Sequence, residues 1–308
     1  MSKQSSVSLI VTVRNEADNI RAFLESYLKQ TVLAHELIIV DAGSTDRTAE
    51  IINSFTAAHP ELNTSLFILP GSKRGQARNF ASTKAKGELL AMTDAGCLLD
   101  CRWLQELLAE QMRSGAVAVG GWFQGLSKSK LQEAIVPYFL QLPRHLTAAN
   151  FIPTSRSFLI AKKTFIKIGG FKETLELSED YDLMLRLRRQ QISWALAAKA
   201  LVYWLPPSTL RQFLAKIAAF AISDIEAGII RPKVLSLYLR YFILFMIWLW
   251  NWPLGLVVAS TYLLWSIMKN YHNCPNSWYY LPLLQISTDA VVMTASLLAL
   301  RKFNSKVV

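Results

Sequence analysis

The sequence predicts an α/β domain with a mainly parallel, Rossmann-like sheet, followed by membrane-spanning helices. Two observations predict it. Short apolar runs alternate with helix-periodic stretches over the first hundred residues, and each run ends on polar residues. Beyond about Pro232 the pattern changes: no charged residue stands between Tyr241 and Met268, and the stretch from about Tyr280 to Leu300 holds Asp289 alone. Each apolar stretch is long enough to cross a hydrocarbon core about 30 Å thick. The expected domains are residues 1–230 and a membrane anchor of two or three helices over 231–308.

Val7–Val13 is a β-branched run that stops at Arg14–Asn15, a buried strand. Ile20, Phe23, Leu24, Tyr27 and Leu28 recur at helical spacing. Leu37–Val40 is a second strand, stopping at Asp41. Ser44 to Asp46 can cap the next helix, with Ile51, Ile52 and Phe55 inward. Leu66–Leu69 is a third strand closed by Pro70–Gly71. Arg74–Lys86 reads as a helix with Gly87 as its stop, and Glu88–Thr93 as a fourth strand ending at Asp94. Four strands alternating with three helices imply right-handed crossovers and a parallel sheet. Further on, Val117–Val119 and Ser157–Ala161 read as strands and Gly169–Gly170 as a tight turn. Ser127–Asn150 is a loop or helix, and Asp180–Gln190 a helix. Over 208–228 the residues Leu210, Phe213, Leu214, Ile217, Phe220 and Ala221 share one face, fit for a core or a membrane surface.

Charge is distributed unevenly. Residues 231–308 carry seven basic side chains and one acid, so more than half of the net charge of +11 flanks the apolar spans. There it sets topology and attracts anionic lipid. No basic stripe marks the α/β part, which argues against nucleic acid. Met1–Ser6 are polar and lead directly into a strand, so no secretory leader is expected. Three cysteines, Cys97, Cys101 and Cys274, show no metal-like pairing and fit a reducing compartment. A single span over 234–268, kinked at Pro253, places Lys233 and Arg240 inside and Lys269 outside. The cluster Arg301, Lys302 and Lys306 then returns inside, as the positive-inside rule prefers. Two short spans turning at Asn251–Pro253 would leave that cluster outside. Asp289 is expensive in lipid and should face a partner helix, an acceptor headgroup or water at a span end.

In an open parallel sheet, ligands bind beyond the carboxyl ends of the strands. Thr12–Asn15, Asp41–Asp46 and Asp94–Gly96 all fall there. No Gly-x-Gly-x-x-Gly follows the first strand, which disfavours a nicotinamide or flavin dinucleotide. Asp41 and Asp94 are carboxylates able to accept from a base or ribose, or to hold a divalent cation on a diphosphate. Asp41 and Asp46 can equally cap the next helix. The basic loop Ser72–Asn79 suits a diphosphate, through arginine forks and a helix N-terminus, or is a solvated face. Ser178-Glu179-Asp180-Tyr181-Asp182 is either a capped helix start or the seat of a general base.

In order, Val-Thr-Val-Arg-Asn-Glu, Asp41-Ala-Gly-Ser-Thr-Asp46, Ala77-Arg78-Asn79, Thr93-Asp94-Ala95-Gly96, Gly169-Gly170-Phe171 and Glu179-Asp180 resemble the family 2 glycosyltransferases of the GT-A fold. The match covers about residues 6–228. The resemblance implies that Thr12 and Asp41 contact the nucleotide base and that Arg78 lies beside the nucleotide. It implies that Asp94 is the first acid of an Asp-x-Asp motif and a metal ligand for Mg2+ or Mn2+. Asp180 would be the base of an inverting displacement, with Glu179 beside it as a second catalytic residue. Two departures stand out: Gly96 replaces the second acid, and Tyr203–Trp204 stand where a histidine is often found. No Gln-x-x-Arg-Trp occurs, which points to single-sugar transfer. The expected protein is a multi-pass enzyme facing the cytoplasm. It would move sugar from a nucleotide-diphosphate donor to a membrane-near or lipid-linked acceptor at the lipid bilayer. A polyprenyl-phosphate glycosyl synthase and a non-catalytic nucleotide-sugar-binding scaffold are the alternatives.

Overall fold

The computed structural model describes residues 6–140, 151–229 and 231–304 of the chain. The expectation for 141–150 and the basic flank at Lys306 lie outside the described residues. Packing divides the described chain into two compact units. One runs to Leu126 and resumes from residue 151 to Leu205; the other holds residues 127–140 and those from Pro206 onward. Residue 230, the boundary expected from composition, marks where the charge pattern changes.

The first unit begins β1 (Val7–Val13), α1 (Ile20–Leu28), β2 (Glu36–Asp41), α2 (Thr48–Ala58), β3 (Thr64–Ile68), α3 (Arg74–Lys84), β4 (Leu89–Asp94) and β5 (Cys97–Leu99). Next come α4 (Trp103–Ser114) and β6 (Ala118–Gly125), and then α5 (Lys130–Phe139), which belongs to the second unit. The first unit resumes with β7 (Phe158–Ala161), α6 (Lys162–Lys167), α7 (Glu179–Arg189) and β8 (Trp194–Trp204). The eight strands form one sheet ordered β3-β2-β1-β4-β7-β6-β8-β5. The first four are parallel, as the alternation of strands and helices demands. β7 runs antiparallel to both β4 and β6, so the second half is mixed. Helix α3 stops at Lys84, before the expected Gly87, because Ala85 is already extended.

On one face of the sheet, Ile10, Ile38, Val40, Leu90 and Met92 pack on Ala77 and Ala81 of α3, Phe171, and Leu183 and Leu187 of α7. Each large apolar side chain so buried contributes about 1.5–3 kcal/mol. This packing fixes α3 and α7, the two helices that bring charged groups to the strand ends.

The second unit is helical: α5, α8 (Leu210–Glu226), α9 (Pro232–Trp250), α10 (Trp252–Asn270) and α11 (Leu281–Asn304). Its core joins Ala134 and Ile135 to Phe213, Ile217, Leu281 and Leu284. The apolar face of α8 is therefore core, which decides between its two readings. Two helical segments, Pro232–Trp250 and Trp278–Arg301, are long and apolar enough to cross a membrane.

The single kinked span over 234–268 is not formed. Asn251 is extended, with φ −150 and ψ 91, and its side chain accepts from Leu254 N–H at 3.1 Å, capping a new helix. Pro253 sits in that helix's first turn, where its missing N–H costs nothing. α10 folds back on α9. A Cβ on Gly255 would lie 2.9 Å from the Trp248 Cα, so only glycine allows this approach. Arg240 Nη1 donates to the Tyr262 hydroxyl at 2.8 Å, across 22 residues of sequence. A continuous helix would hold such a pair about 33 Å apart. Lys269 thus lies beside Arg240, since both cations reach the Trp265 ring, at 5.1 and 5.6 Å. It is not on the opposite side. Asp289 is 4% exposed and faces partner helices, accepting from the hydroxyls of Tyr241 and Tyr262 and from Gln285 within α11.

Candidate active site

Parallel register brings the first candidates together. Thr12 pairs with Asp94 across β1 and β4, and Val13 with Asp41 across β1 and β2. Thr12, Asp41 and Asp94 therefore end neighbouring strands at one edge of the sheet. Asp41 is buried, and its Oδ1 accepts from Gly43 N–H at 3.0 Å, Ser44 N–H at 2.7 Å and the Ser44 hydroxyl at 2.8 Å. Its Oδ2 makes no hydrogen bond to a described residue. Asp46 accepts from the Thr48 hydroxyl, the Thr48 N–H and the Ala17 N–H, which tie the β1 and β2 loops together. Those bonds, the Thr48 hydroxyl foremost, hold its carboxyl below the usual range. Asn15 takes a left-handed conformation, φ 54, and its Oδ1 accepts from Thr45 N–H at 2.8 Å.

Arg78 is the centre of the charged cluster. It is 1% exposed, and it donates from Nη1 to Glu179 at 2.5 Å and from Nη2 to Asp94 at 2.7 Å. Residues 101 apart in sequence thus meet through one guanidinium. The motif residues next to it explain the placement. Asn79 Oδ1 accepts from Phe171 N–H at 2.8 Å, and its Nδ2 donates to the Phe171 carbonyl at 2.9 Å. Gly170 has φ +62, and a Cβ there would lie 2.5 Å from Asn79 Oδ1. The Ala-Arg-Asn and Gly-Gly-Phe stretches are two halves of one joint, and α7 follows it. Phe171 also places its ring 5.3 Å from the Arg78 guanidinium carbon.

Burial works against the Arg78 charge, but the charges of Asp94, Glu179 and Asp180 outweigh it and raise its pKa. Burial pushes the Glu179 carboxyl up, opposed by Arg78 and assisted by Asp180. Glu179 is thus engaged and buried, whereas the neighbouring Asp180 is half-buried. Asp180 Oδ1 accepts from Tyr181 N–H at 2.8 Å, and Oδ2 faces Ser155 N–H at 3.4 Å. Ser178 holds the N-cap position without a side-chain cap bond, in a left-handed conformation at φ 62. The capped start expected there is therefore not the arrangement formed. A non-glycine in this region is strained by about 1–3 kcal/mol, a cost that concentrates at functional sites. In the basic loop, Lys73 donates to the Thr174 carbonyl at 2.7 Å and pairs with Glu176 at 3.2 Å.

Sequence reasoning missed Arg156. It stands just before β7, and its guanidinium carbon lies 5.3 Å from the Phe123 ring centre and 5.1 Å from that of Trp204. Its Nε is 3.7 Å from Asp94 Oδ2. The only signal was an arginine immediately before a strand in a region of little periodicity.

Asp94 is the residue expected to hold a divalent cation, and its surroundings do not fit one. One oxygen accepts from Arg78, the other faces Arg156, and no second acid follows at Gly96. The acid nearest that gap is Glu16, whose carboxylate oxygens lie 4.0 Å from where a Gly96 Cβ would be; it accepts from Asn19 at 2.9 Å. Among the described residues no three His, Cys, Asp or Glu side chains form a metal-holding group.

A parallel half-sheet with acids at its strand ends, continued by a mixed half, is the GT-A fold. It is shared with the mannosyltransferase PcManGT of Pyrobaculum calidifontis, solved with GDP-mannose and Mn2+. That likeness has a TM-score of 0.67 at 17% identity, covering 93% of this chain and 88% of the other. TarS of S. aureus, solved with UDP-GlcNAc, matches with a TM-score of 0.55 at 16% identity, over 94% of this chain and 90% of its own. The model of the glycosyl transferase family 2 matches residues 8–174, more than half of the chain, and the chain belongs to that family of glycosyltransferases. Among curated relatives, glycosyltransferase AglE of Haloferax volcanii is 33% identical over 37% of this chain and 38% of its own length. The poly-beta-1,6-N-acetyl-D-glucosamine synthase of Staphylococcus epidermidis is 25% identical over 77% of this chain and 60% of its own. The chain spans less than two thirds of either relative.

Proposed function

We propose that this chain transfers a single sugar, with inversion, from a nucleoside-diphosphate donor to an acceptor hydroxyl at a membrane. The observation that carries this reading is the convergence of Arg78, Asp94, Glu179 and Asp180, drawn from three separate stretches, beside the ends of β1, β2 and β4. Thr12 and the open Oδ2 of Asp41 would receive the base, and Asp94 would accept from the ribose hydroxyls. Asp180 is the more open carboxylate of its pair and would take the acceptor's proton as its oxygen attacks the anomeric carbon in line. Glu179 then serves by holding Arg78, so that the buried cation keeps Asp94 in place. The nucleotide-sugars bound by PcManGT and TarS support a donor of this class, and the donor set at Asp94 speaks against a protein-held divalent cation.

The membrane part of the reading rests on the two apolar helices and on the shared level of Arg240 and Lys269, which suits an anionic cytoplasmic leaflet. The α/β unit would then face the cytoplasm, with a lipid-linked or membrane-near acceptor.

Asp180→Asn tests the mechanism in detergent-solubilised protein screened for nucleotide-sugar turnover. We expect turnover to fall on the order of 10²–10⁴-fold, the usual contribution of a positioned general base. Nearly unchanged turnover would instead point to a lipid phosphate as the acceptor, because that group needs little base catalysis. Binding of a nucleotide-sugar by calorimetry without turnover would leave the non-catalytic scaffold, and binding of none would overturn the donor class.

A further inference from the structure

We infer that Arg156 supplies the positive charge on the donor's diphosphate, in the role a divalent cation would otherwise fill. The inference rests on the donor class proposed for this site and goes beyond it by naming the group that receives the departing charge.

Four features of the site converge on this residue. Its backbone is anchored at the strand end, because Thr93, next to Asp94, donates its hydroxyl to the Arg156 carbonyl at 2.8 Å. Its neighbour Ser155 turns an N–H toward Asp180. The loop therefore sets Arg156 between the two acids assigned to donor and acceptor. Its guanidinium packs against the Phe123 and Trp204 rings, which fix its plane. Trp204 is one of the two residues standing where a histidine was expected, so one departure from the family pattern helps to build the arginine's seat.

The hydrogen-bonding capacity of Arg156 is unspent. Its side chain is 15% exposed, yet its guanidinium makes no hydrogen bond to any described residue, the buried Nε included. Leaving a buried donor unpaired is costly, so a structure that keeps one normally has a use for it. Among the described residues its ionic neighbour is Asp94 at 3.7 Å, and Asp94 already accepts from Arg78 at 2.7 Å. Arg78 cannot do the same work, because Glu179 and Asp94 engage both ends of its fork at 1% exposure. At the second departure, Gly96 in place of an acid, the nearest carboxylate is that of Glu16, which accepts from Asn19 at 2.9 Å. What remains is a planar, oriented, half-compensated guanidinium whose geometry matches two oxygens of a phosphate.

The step balances without a metal. The acceptor oxygen forms a bond to the anomeric carbon while the carbon–oxygen bond to the β-phosphate breaks. The electron pair leaves with the phosphate oxygen, and the acceptor's proton passes to Asp180. The nucleoside diphosphate gains one negative charge, and Arg156 meets it with charge-assisted hydrogen bonds.

The test uses the full chain in detergent, with UDP and GDP as probes, titrated by calorimetry in EDTA and again with Mn2+. Wild type should bind one of the two in EDTA, and Mn2+ should change its affinity less than threefold. Arg156→Ala should weaken that binding by about 10–100-fold, and Arg156→Lys by less, because a point charge replaces the fork. Thermal melts of both variants in EDTA separate a lost contact from a lost fold: only an affinity loss in a variant that melts like wild type counts for the proposal. Binding that requires Mn2+, disappears in Glu16→Gln and is unchanged in Arg156→Ala would overturn the inference and leave the donor class standing. Binding of neither probe under either condition would overturn both.

Discussion

Two buried carboxylates, Glu179 in the α/β unit and Asp289 in the helical unit, are kept by opposite means. In the α/β unit, Glu179 and Asp94 are held by the full charge of Arg78, with Arg156 close by. In the helical unit, Asp289 has no cation within ion-pair range among the described residues; neutral groups hold it, two tyrosine hydroxyls and the Gln285 amide. Arg240 is one bond removed, donating to the Tyr262 hydroxyl. A charge-paired cluster loses heavily when one partner goes. A carboxylate wrapped in neutral donors is a cross-link between helices, and its loss is graded. The comparison teaches that burial alone does not set how an acid behaves; whether its partner is a cation or a neutral donor does.

Removing Arg78 breaks the first arrangement and should have the largest effect. Arg78→Met leaves Glu179 buried without a counter-charge, at a cost of about 3–5 kcal/mol. Chemical denaturation at pH 8 measures it. The cost should shrink in acid, and the sign follows from the direction of the shift. Burial already raises the Glu179 carboxyl above its ordinary 4.5, and losing Arg78 raises it further. The native state then binds the proton more readily than the unfolded chain. The penalty is absent below about 4.5 and grows as pH rises toward the folded-state value. A variant equally destabilised at pH 5 and pH 8 would show that the Arg78–Glu179 pair does not govern stability there.

The same comparison predicts a smaller loss in the helical unit. Asp289→Ala strands the donors of Tyr241, Tyr262 and Gln285 and should cost about 1–3 kcal/mol. Asp289→Asn keeps an acceptor for them and should cost less. Thermal melts in one detergent decide it. If Asn were as damaging as Ala, the negative charge itself would matter, and Asp289 would belong with the charged cluster's kind of chemistry.

Much of the fold was legible because its signals are local. β1 and β2 are β-branched runs and β4 an apolar one, all with clean polar ends, and their shared edge follows from parallel register alone. β8 was not legible. Trp194–Trp204 mixes small residues with Lys199, and its pairing with β6 slips between Gly121 and Trp122, so no strict alternation survives in sequence. Helix α4 carries ordinary signals, with Gly115 left-handed as its stop, and could have been read. At the site, Thr12, Asp41 and Asp94 were visible as strand ends. The Arg78–Glu179 pair was not, because it depends on Asn79 clamping the Gly-Gly-Phe turn from far along the chain. Arg156 depends on two rings from other strands, Phe123 and Trp204, which no local pattern announces.

The hairpin of the helical unit gives the smallest prediction. It turns on one residue: Asn251 ends α9 and caps α10 with a 3.1 Å bond to the Leu254 N–H. Asn251→Ala removes that bond but leaves Pro253 in the first turn and the bare Gly255 surface against Trp248. Losing a cap of this kind costs about 1 kcal/mol. The hairpin should therefore persist, slightly weakened, with Arg240 still reaching Tyr262. Cysteines introduced at Ile243 and Leu264 and spin-labelled there report on it, since folded-back helices keep the labels within short range and a straight helix would separate them by about 30 Å. Short distances retained in Asn251→Ala would show that packing, with the cap secondary, sets the turn. Long distances already in the native hairpin would restore the single kinked span.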